Sequence, residues 1–180
     1  YKRQNHMALK QIVFVRHGES RHHVDGLTGG WTDTPLTPTG RRQVRATAVH
    51  LATQSFDEWG FFTSDLKRTM ESAEIVSEAL NRQPLPMREL REINNGAATG
   101  LTNEEAARIA MAKPAGFDPD FRAFENAESL RDLDTRMRRA LAIMADAGKE
   151  RALVIGHGFA GAVLLRAWLG IAIEPLVAFY

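Results

Sequence analysis

Apolar residues along this chain follow two rhythms: short uninterrupted runs, and longer stretches where they return every three or four positions. Gln11–Val15, Gly60–Thr63 and Ala152–Ile155 are the short runs; bounded by polar and glycine-rich segments, they read as strands. Val44, Ala48 and Leu51 recur at helical spacing behind Thr37-Pro38, a capping residue followed by a proline suited to the first helical position. Leu66, Met70, Ala73, Val76 and Leu80 form a second helical stripe, which Ser64 is placed to cap and Pro84 and Pro86 to stop. Thr102-Asn103-Glu104-Glu105 has the form of a capping box opening a short helix that Pro114 ends. Leu130, Leu133, Met137, Leu141 and Met144 are the core stripe of a long helix with Gly148 as its C-cap, and an apolar helix follows Gly158 as far as Leu169. Residues 19–34 read as a polar, glycine-rich loop and residues 113–126 as a second loop. Strands alternating with helices predict an α/β fold, a three-layer α/β/α sandwich with a largely parallel central sheet.

Composition narrows the class. A chain of 180 residues, 44% hydrophobic and 25% charged, suits a single globular domain rather than a disordered or fibrous one. Residues 1–6 are polar and patternless and end in His6-Met7, so they read as a cloning remnant ahead of a single domain over residues 7–180. Lys and Arg number 23 against 22 Asp and Glu, a balance that argues against a dedicated nucleic-acid binder. No apolar run reaches the roughly 20 residues of a membrane span, and no signal-peptide core precedes the first strand. The expected setting is the cytoplasm, with no membrane or nucleic-acid partner. The absence of Cys excludes disulfides, thiol catalysis and thiolate metal sites. Arg outnumbers Lys 18 to 5, which supplies planar forks for anions, although a GC-rich genome is the simpler cause.

In parallel α/β sheets, ligands bind beyond the carboxyl ends of the strands. Those ends carry Arg16-His17-Gly18, then Ser64 with Arg68 one turn into the following helix, then Gly156-His157-Gly158. Two histidines and two arginines are thus predicted to converge on one sheet edge. Phosphoryl transfer wants this set: guanidinium forks match phosphoryl oxygens, and a neutral imidazole can attack phosphorus. Nearby arginines disfavour imidazolium and keep the lone pair available. The helix after His157 is expected to aim its N-terminal N–H groups at the same place. Glycine after each histidine is expected to clear space for ligand oxygens.

The chain here resembles the histidine phosphatase superfamily, the phosphoglycerate mutase-like clan, over most of residues 12–169. Val15-Arg16-His17-Gly18-Glu19-Ser20 resembles its signature, and Asp33-Thr34-Pro35-Leu36-Thr37 with Gly40 and Gln43 its next block. Ser64-Asp65-Leu66-Lys67-Arg68, Leu90-Arg91-Glu92-Ile93 and Val154-Ile155-Gly156-His157-Gly158 are similar to its later motifs. The resemblance implies a phosphoglycerate mutase-like fold, His17 as phosphoryl-accepting nucleophile, and Arg16, Arg68 and His157 as groups holding the phosphoryl oxygens. It also implies Glu92 as general acid and base, a role the residue pattern does not reveal. Ser20, His23 and Gly158 are taken as substrate-binding, and no metal or cofactor is expected.

The sequence departs from the family in three places. His23 stands where the family often has a phosphate-binding Asn. Gly96-Ala97-Ala98-Thr99-Gly100 replaces a Gly-x-Trp-Glu-Gly pattern, which implies a smaller pocket wall that admits water. The chain stops at Tyr180, short of the family's final strand and tail.

The expected activity is metal-independent hydrolysis of a small phosphorylated metabolite through phospho-His17. A 2,3-bisphosphoglycerate-dependent phosphoglycerate mutase and a non-catalytic phospholigand-binding module are the alternatives. Against the mutase, only 88 residues separate Arg68 from His157, which leaves little room for an enclosing insertion. The sequence leaves a homo-oligomer open. Elsewhere the plain readings are preferred. His22, His23 and Asp25 form a solvated loop rather than a metal site, since adjacent histidines point in different directions. His50 sits at the surface or its boundary, and Arg136, Arg138 and Arg139 form a solvated helix face. Phe117, Phe121 and Phe124 pin their loop to a small core of its own, with a lid over the leaving group as the functional alternative.

Overall fold

The computed structural model describes residues 9–173; the reading of residues 1–6 falls outside them. Four parallel strands, β1 (Gln11–Arg16), β2 (Gly60–Ser64), β3 (Leu85–Met87) and β4 (Arg151–Gly156), form one sheet in the order β1-β4-β2-β3. The central strand β4 shows how the sandwich is made. Its residues Ala152–Ile155 are all fully buried, and successive side chains point to opposite faces. Ala152 and Val154 pack with Leu133, Met137 and Met144 of helix α5 (Leu130–Asp146) and Leu164 of helix α6 (Gly158–Trp168). Leu153 and Ile155 pack with Val44, Ala48 and Leu51 of helix α2 (Pro38–Leu51) and Ala73 and Val76 of helix α3 (Lys67–Leu80). A strand buried on both faces needs an unbroken apolar run, and Ala152–Ile155 supplies one. The predicted three-layer α/β/α sandwich with a parallel sheet is therefore what forms.

Helix starts follow the sequence in part. Thr37 Oγ1 accepts the Gly40 N–H with Pro38 at the first position of α2, and Thr102 and Glu105 close a capping box on helix α4 (Asn103–Ile109). The end of α4 comes at Ile109, ahead of Pro114. Ser64 does not cap α3 as expected. The loop residue Asp33 does, accepting the Lys67 N–H at 2.7 Å, which frees Ser64 for the site below. Asn81 in the left-handed region, rather than Pro84, ends α3. The short strand β3 is an addition. Pro86 fits within it because β3 lies at the sheet edge, where one side of the backbone needs no ladder partner. A four-residue helix α1 (Arg21–Val24) interrupts the segment expected to be loop throughout.

Candidate active site

The carboxyl ends of β1, β2 and β4 open on a cleft of about 520 Å³. Arg16, His17, Arg68, Glu92 and Gly158 line it together with His22 and His23. His17 is buried, and its Nδ1 lies 2.6 Å from the Gly18 carbonyl oxygen. A carbonyl only accepts, so Nδ1 carries the proton and Nε2 keeps its lone pair. That lone pair faces Nε–H of Arg68 at 3.3 Å. Burial first, then the Arg68 and Arg16 guanidiniums, pushes the His17 pKa down to about 3, against the opposing pull of the Gly18 carbonyl. The ring is neutral across the physiological range.

Arg68 is itself almost fully buried, with Nη1 and Nη2 donating to the carbonyls of Thr32 and Gly30, each at 2.7 Å. Burial lowers its pKa to about 10, with the Glu92 and Asp33 carboxylates opposing. It stays cationic at neutral pH. The ring of His157 stands 5.2 Å from that of His17, with Nε2 at 2.8 Å from Ser64 Oγ and Nδ1 buried without a partner. Burial, reinforced by the Arg68 charge, holds the His157 pKa well below its ordinary value.

The carboxylate of Glu92 accepts three backbone N–H groups: Ile93 and Ala160 on Oε1 at 2.9 Å, and Phe159 on Oε2 at 3.0 Å. A carboxylate suits the first turn of α6, where unpaired donors and the helix dipole meet. The N–H groups of Phe159 and Ala160, expected to face a phosphate, are thus committed to Glu92.

Other expectations need correction. Gly18 is not kept bare for a ligand. A Cβ there would lie 2.4 Å from the Gly40 carbonyl oxygen, so the glycine permits close packing of the β1 loop on α2. A Cβ on Gly158 would meet the Arg16 guanidinium at ordinary contact distances of 3.5–3.8 Å. Ser20, taken as substrate-binding, is fully buried, with Oγ 2.9 Å from Nδ1 of His22 and 3.2 Å from Nδ1 of His23. Its hydroxyl is placed between the two imidazoles.

His22 turns inward, while His23 stays exposed. Helix α1 brings their ring centroids to 4.1 Å, His22 is buried against Thr34, and the His23 ring stacks 5.9 Å from that of His17. The Ser20 N–H donates to Nδ1 of His23 at 3.3 Å, so Nε2 carries that ring's proton on a side chain lining the cleft. Burial and the Arg16 charge lower the His23 pKa. Among the described residues, no group of three or more His, Cys, Asp or Glu is placed to hold a metal ion.

His50 is exposed, as expected, but Arg136 is not. Its side chain keeps only 14% of its exposure and pairs with Glu128. Phe117, Phe121 and Phe124 belong to neither apolar core and do not line the cleft, and neither do Ala97, Ala98 and Thr99. The outer wall is Leu27, Gly29, Gly30, Asn103 and Phe159. No residue-type signal singled these out; only loop placement brings them here.

Three buried histidines set a pH dependence of stability. Burial lowers the pKa of His17 to about 3 and of His22 to about 4, and holds that of His157 well below 6.5. Below about pH 6.5 the unfolded chain takes up protons that the folded one refuses, so stability falls as pH falls. Each unit of depression is worth at most about 1.4 kcal/mol, making the loss by about pH 4 on the order of a few kcal/mol. Thermal unfolding should show Tm dropping steadily between about pH 7 and pH 4; a flat profile would contradict the burial of these rings.

The parallel sheet thus delivers neutral imidazoles and two arginines to one cleft. The profile of the histidine phosphatase superfamily (branch 1) matches residues 12–179, and the chain belongs to that superfamily. It is 33% identical over 170 residues to the probable phosphoglycerate mutase GpmB of Proteus mirabilis, spanning 91% of this chain and 76% of the relative. It is also 33% identical over 158 residues to the uncharacterized phosphatase PhoE of Bacillus subtilis, spanning 87% and 76%. Among solved structures, the mycobacterial glucosyl-3-phosphoglycerate phosphatase complexed with VO3 superposes with a TM-score of 0.75 at 26% identity, covering 90% of this chain and 83% of that one. Among the described residues, no helix is long and apolar enough to cross a membrane.

Proposed function

We propose that this chain hydrolyses a small phosphomonoester without a metal ion, through a phosphohistidine on His17. The observation that carries the reading is the His17 tautomer. Nδ1 is tied to the Gly18 carbonyl, and Nε2 of the neutral ring, on a residue lining the cleft, holds its lone pair against the Arg68 Nε–H at 3.3 Å, a long contact that an incoming phosphoryl group replaces. Nε2 attacks phosphorus as the ester P–O bond breaks, and the Glu92 carboxyl gives its proton to the leaving oxygen. Water then loses a proton to the Glu92 carboxylate and attacks phosphorus, the P–N bond breaks, and inorganic phosphate leaves. Arg16 and Arg68 balance the phosphoryl charge; Arg68 does so chiefly as a buried charge, since its Nη1 and Nη2 already donate to the Thr32 and Gly30 carbonyls. The Nε2–H of His23, on a side chain lining the cleft, is the donor available for a further phosphoryl oxygen, while His157 stands behind His17 with its Nδ1 buried.

The mutase alternative draws support from the relatives named for that activity. Against it, Arg16 and Arg68 are the arginines lining the cleft among the described residues, and both serve one phosphoryl group; the described outer wall of Leu27, Gly29, Gly30, Asn103 and Phe159 carries no charge for a second anion. The test supplies 3-phosphoglycerate with catalytic 2,3-bisphosphoglycerate in excess EDTA and follows inorganic phosphate and 2-phosphoglycerate together. Phosphate release should dominate and persist in chelator. Isomerisation outrunning release by about tenfold would make the chain a mutase, and collapse in EDTA reversed by Mg²⁺ would end metal independence. No turnover of any phosphomonoester would favour the binding-module reading.

A further inference from the structure

We infer that Arg136, paired with Glu128, is a positioning residue for Glu92, an inference that rests on the proton-transfer reading of Glu92. All five N–H donors of the Arg136 guanidinium are used. Nε and Nη2 bind the two Glu128 carboxylate oxygens at 2.7 and 2.6 Å. Nη1 reaches the carbonyls of Glu89 at 2.9 Å and Arg91 at 2.7 Å, and Nη2 reaches that of Glu92 at 3.0 Å. Glu128 extends the hold by accepting the Asn94 N–H at 2.9 Å, and Trp31 Nε1 donates to the Glu92 carbonyl at 2.7 Å.

The segment needs such a hold. After a single 3₁₀ turn over Arg88–Leu90 it has no ladder or helix to satisfy its carbonyls, and unpaired buried carbonyls are costly. Its register is therefore set by side chains. Arg136 provides a stiff anchor because it projects from the 17-residue helix α5 between the buried Leu133, Met137 and Ala140. The clamp is two-sided: the Glu92 carboxylate is fixed in front by the α6 N–H groups, while its backbone is fixed behind by Arg136 and Trp31. Arg136 does not line the catalytic cleft, and beyond its hold on the Glu92 segment only its charge reaches a site group, lowering the His157 pKa. A lysine cannot replace it, since a point charge lacks the planar fork that serves Glu128 and three carbonyls at once.

Displacing a reacting group by about 1 Å costs up to about 10²-fold, and the loss should fall where proton transfer matters. In Arg136→Met, kcat for an alkyl phosphate should drop about 10- to 100-fold, with p-nitrophenyl phosphate changed by less than about 3-fold. Inhibition by inorganic phosphate should change little, because Arg16, Arg68, His17 and His23 are untouched and His157 loses only the distant Arg136 charge. Arg136→Lys should resemble Arg136→Met rather than the wild type. Combined with Glu92→Gln, Arg136→Met should add nothing further on alkyl phosphates, since both act on one step. Equal losses on both substrates, or full additivity, would overturn the inference. If Arg136→Met does not fold, Glu128→Gln carries the same test: it keeps the shape and the Asn94 hydrogen bond but removes the charge facing the guanidinium. Should Glu92→Gln alone show no leaving-group dependence, the proton-transfer reading fails and takes this inference with it. If Glu92→Gln shows it and the Arg136 and Glu128 variants do not, only the positioning role falls.

Discussion

Incubated with a radiolabelled phosphomonoester and quenched, the wild-type chain should carry an acid-labile, base-stable label that His17→Ala lacks. Turnover should fall with it by about 10³-fold or more, the scale on which losing a covalent nucleophile registers. The expectation follows from the ring's surroundings. Burial and two guanidiniums keep it neutral, the Gly18 carbonyl fixes its tautomer, and Arg68 stands at the attacking nitrogen. His157 does not offer the same opportunity, because it does not line the cleft and its Nδ1 is buried. Label surviving in His17→Ala would move the nucleophile elsewhere. Loss of label with turnover intact would mean direct attack by water. The alanine leaves a small polar-walled gap, so near-wild-type Tm at neutral pH is the control for folding.

Glu92→Gln should cost about 10²–10⁴-fold on alkyl phosphates, whose leaving oxygen needs a proton, and less than about 10-fold on p-nitrophenyl phosphate. The substitution is not silent structurally. Oε1 serves two N–H groups and Oε2 one, so the glutamine carbonyl takes the Oε1 place and its NH₂ faces the Phe159 N–H. Two donors then oppose each other at the start of α6, which loosens that turn for every substrate. The difference between the two leaving groups, not the absolute loss, therefore reports proton transfer. A uniform loss would assign Glu92 to capping α6 and shaping the cleft.

Much of this molecule was legible as periodicity. The β-branched runs, the helical stripes and the caps at Thr37 and Thr102 depend on residues within one turn or one strand, and they define a parallel sheet. Its topology carries the strand ends to one edge, so Arg16, His17, Arg68 and His157 could be brought together before any coordinates. What the sequence could not supply lies at long separation. Glu92 meets α6 across 68 residues, and Arg136 meets the Glu92 segment across 44. Asp33 caps a helix that begins 34 residues later, and Ser64 bonds a histidine 93 residues away. In each case a charged or polar side chain looks like an ordinary surface residue until a loop's path decides its partner. Arg136 is the clearest case: it shares a helix and a local charge pattern with Arg138 and Arg139, yet only its direction from α5 meets unsatisfied carbonyls. The one-turn helix α1 acts in a related way: it buries the His22 ring and leaves the exposed His23 ring 5.9 Å from that of His17. Local rhythm thus determined the scaffold and the place of His17, and tertiary structure alone decided what holds Glu92, since a hydrogen bond between distant segments leaves no periodic trace in either.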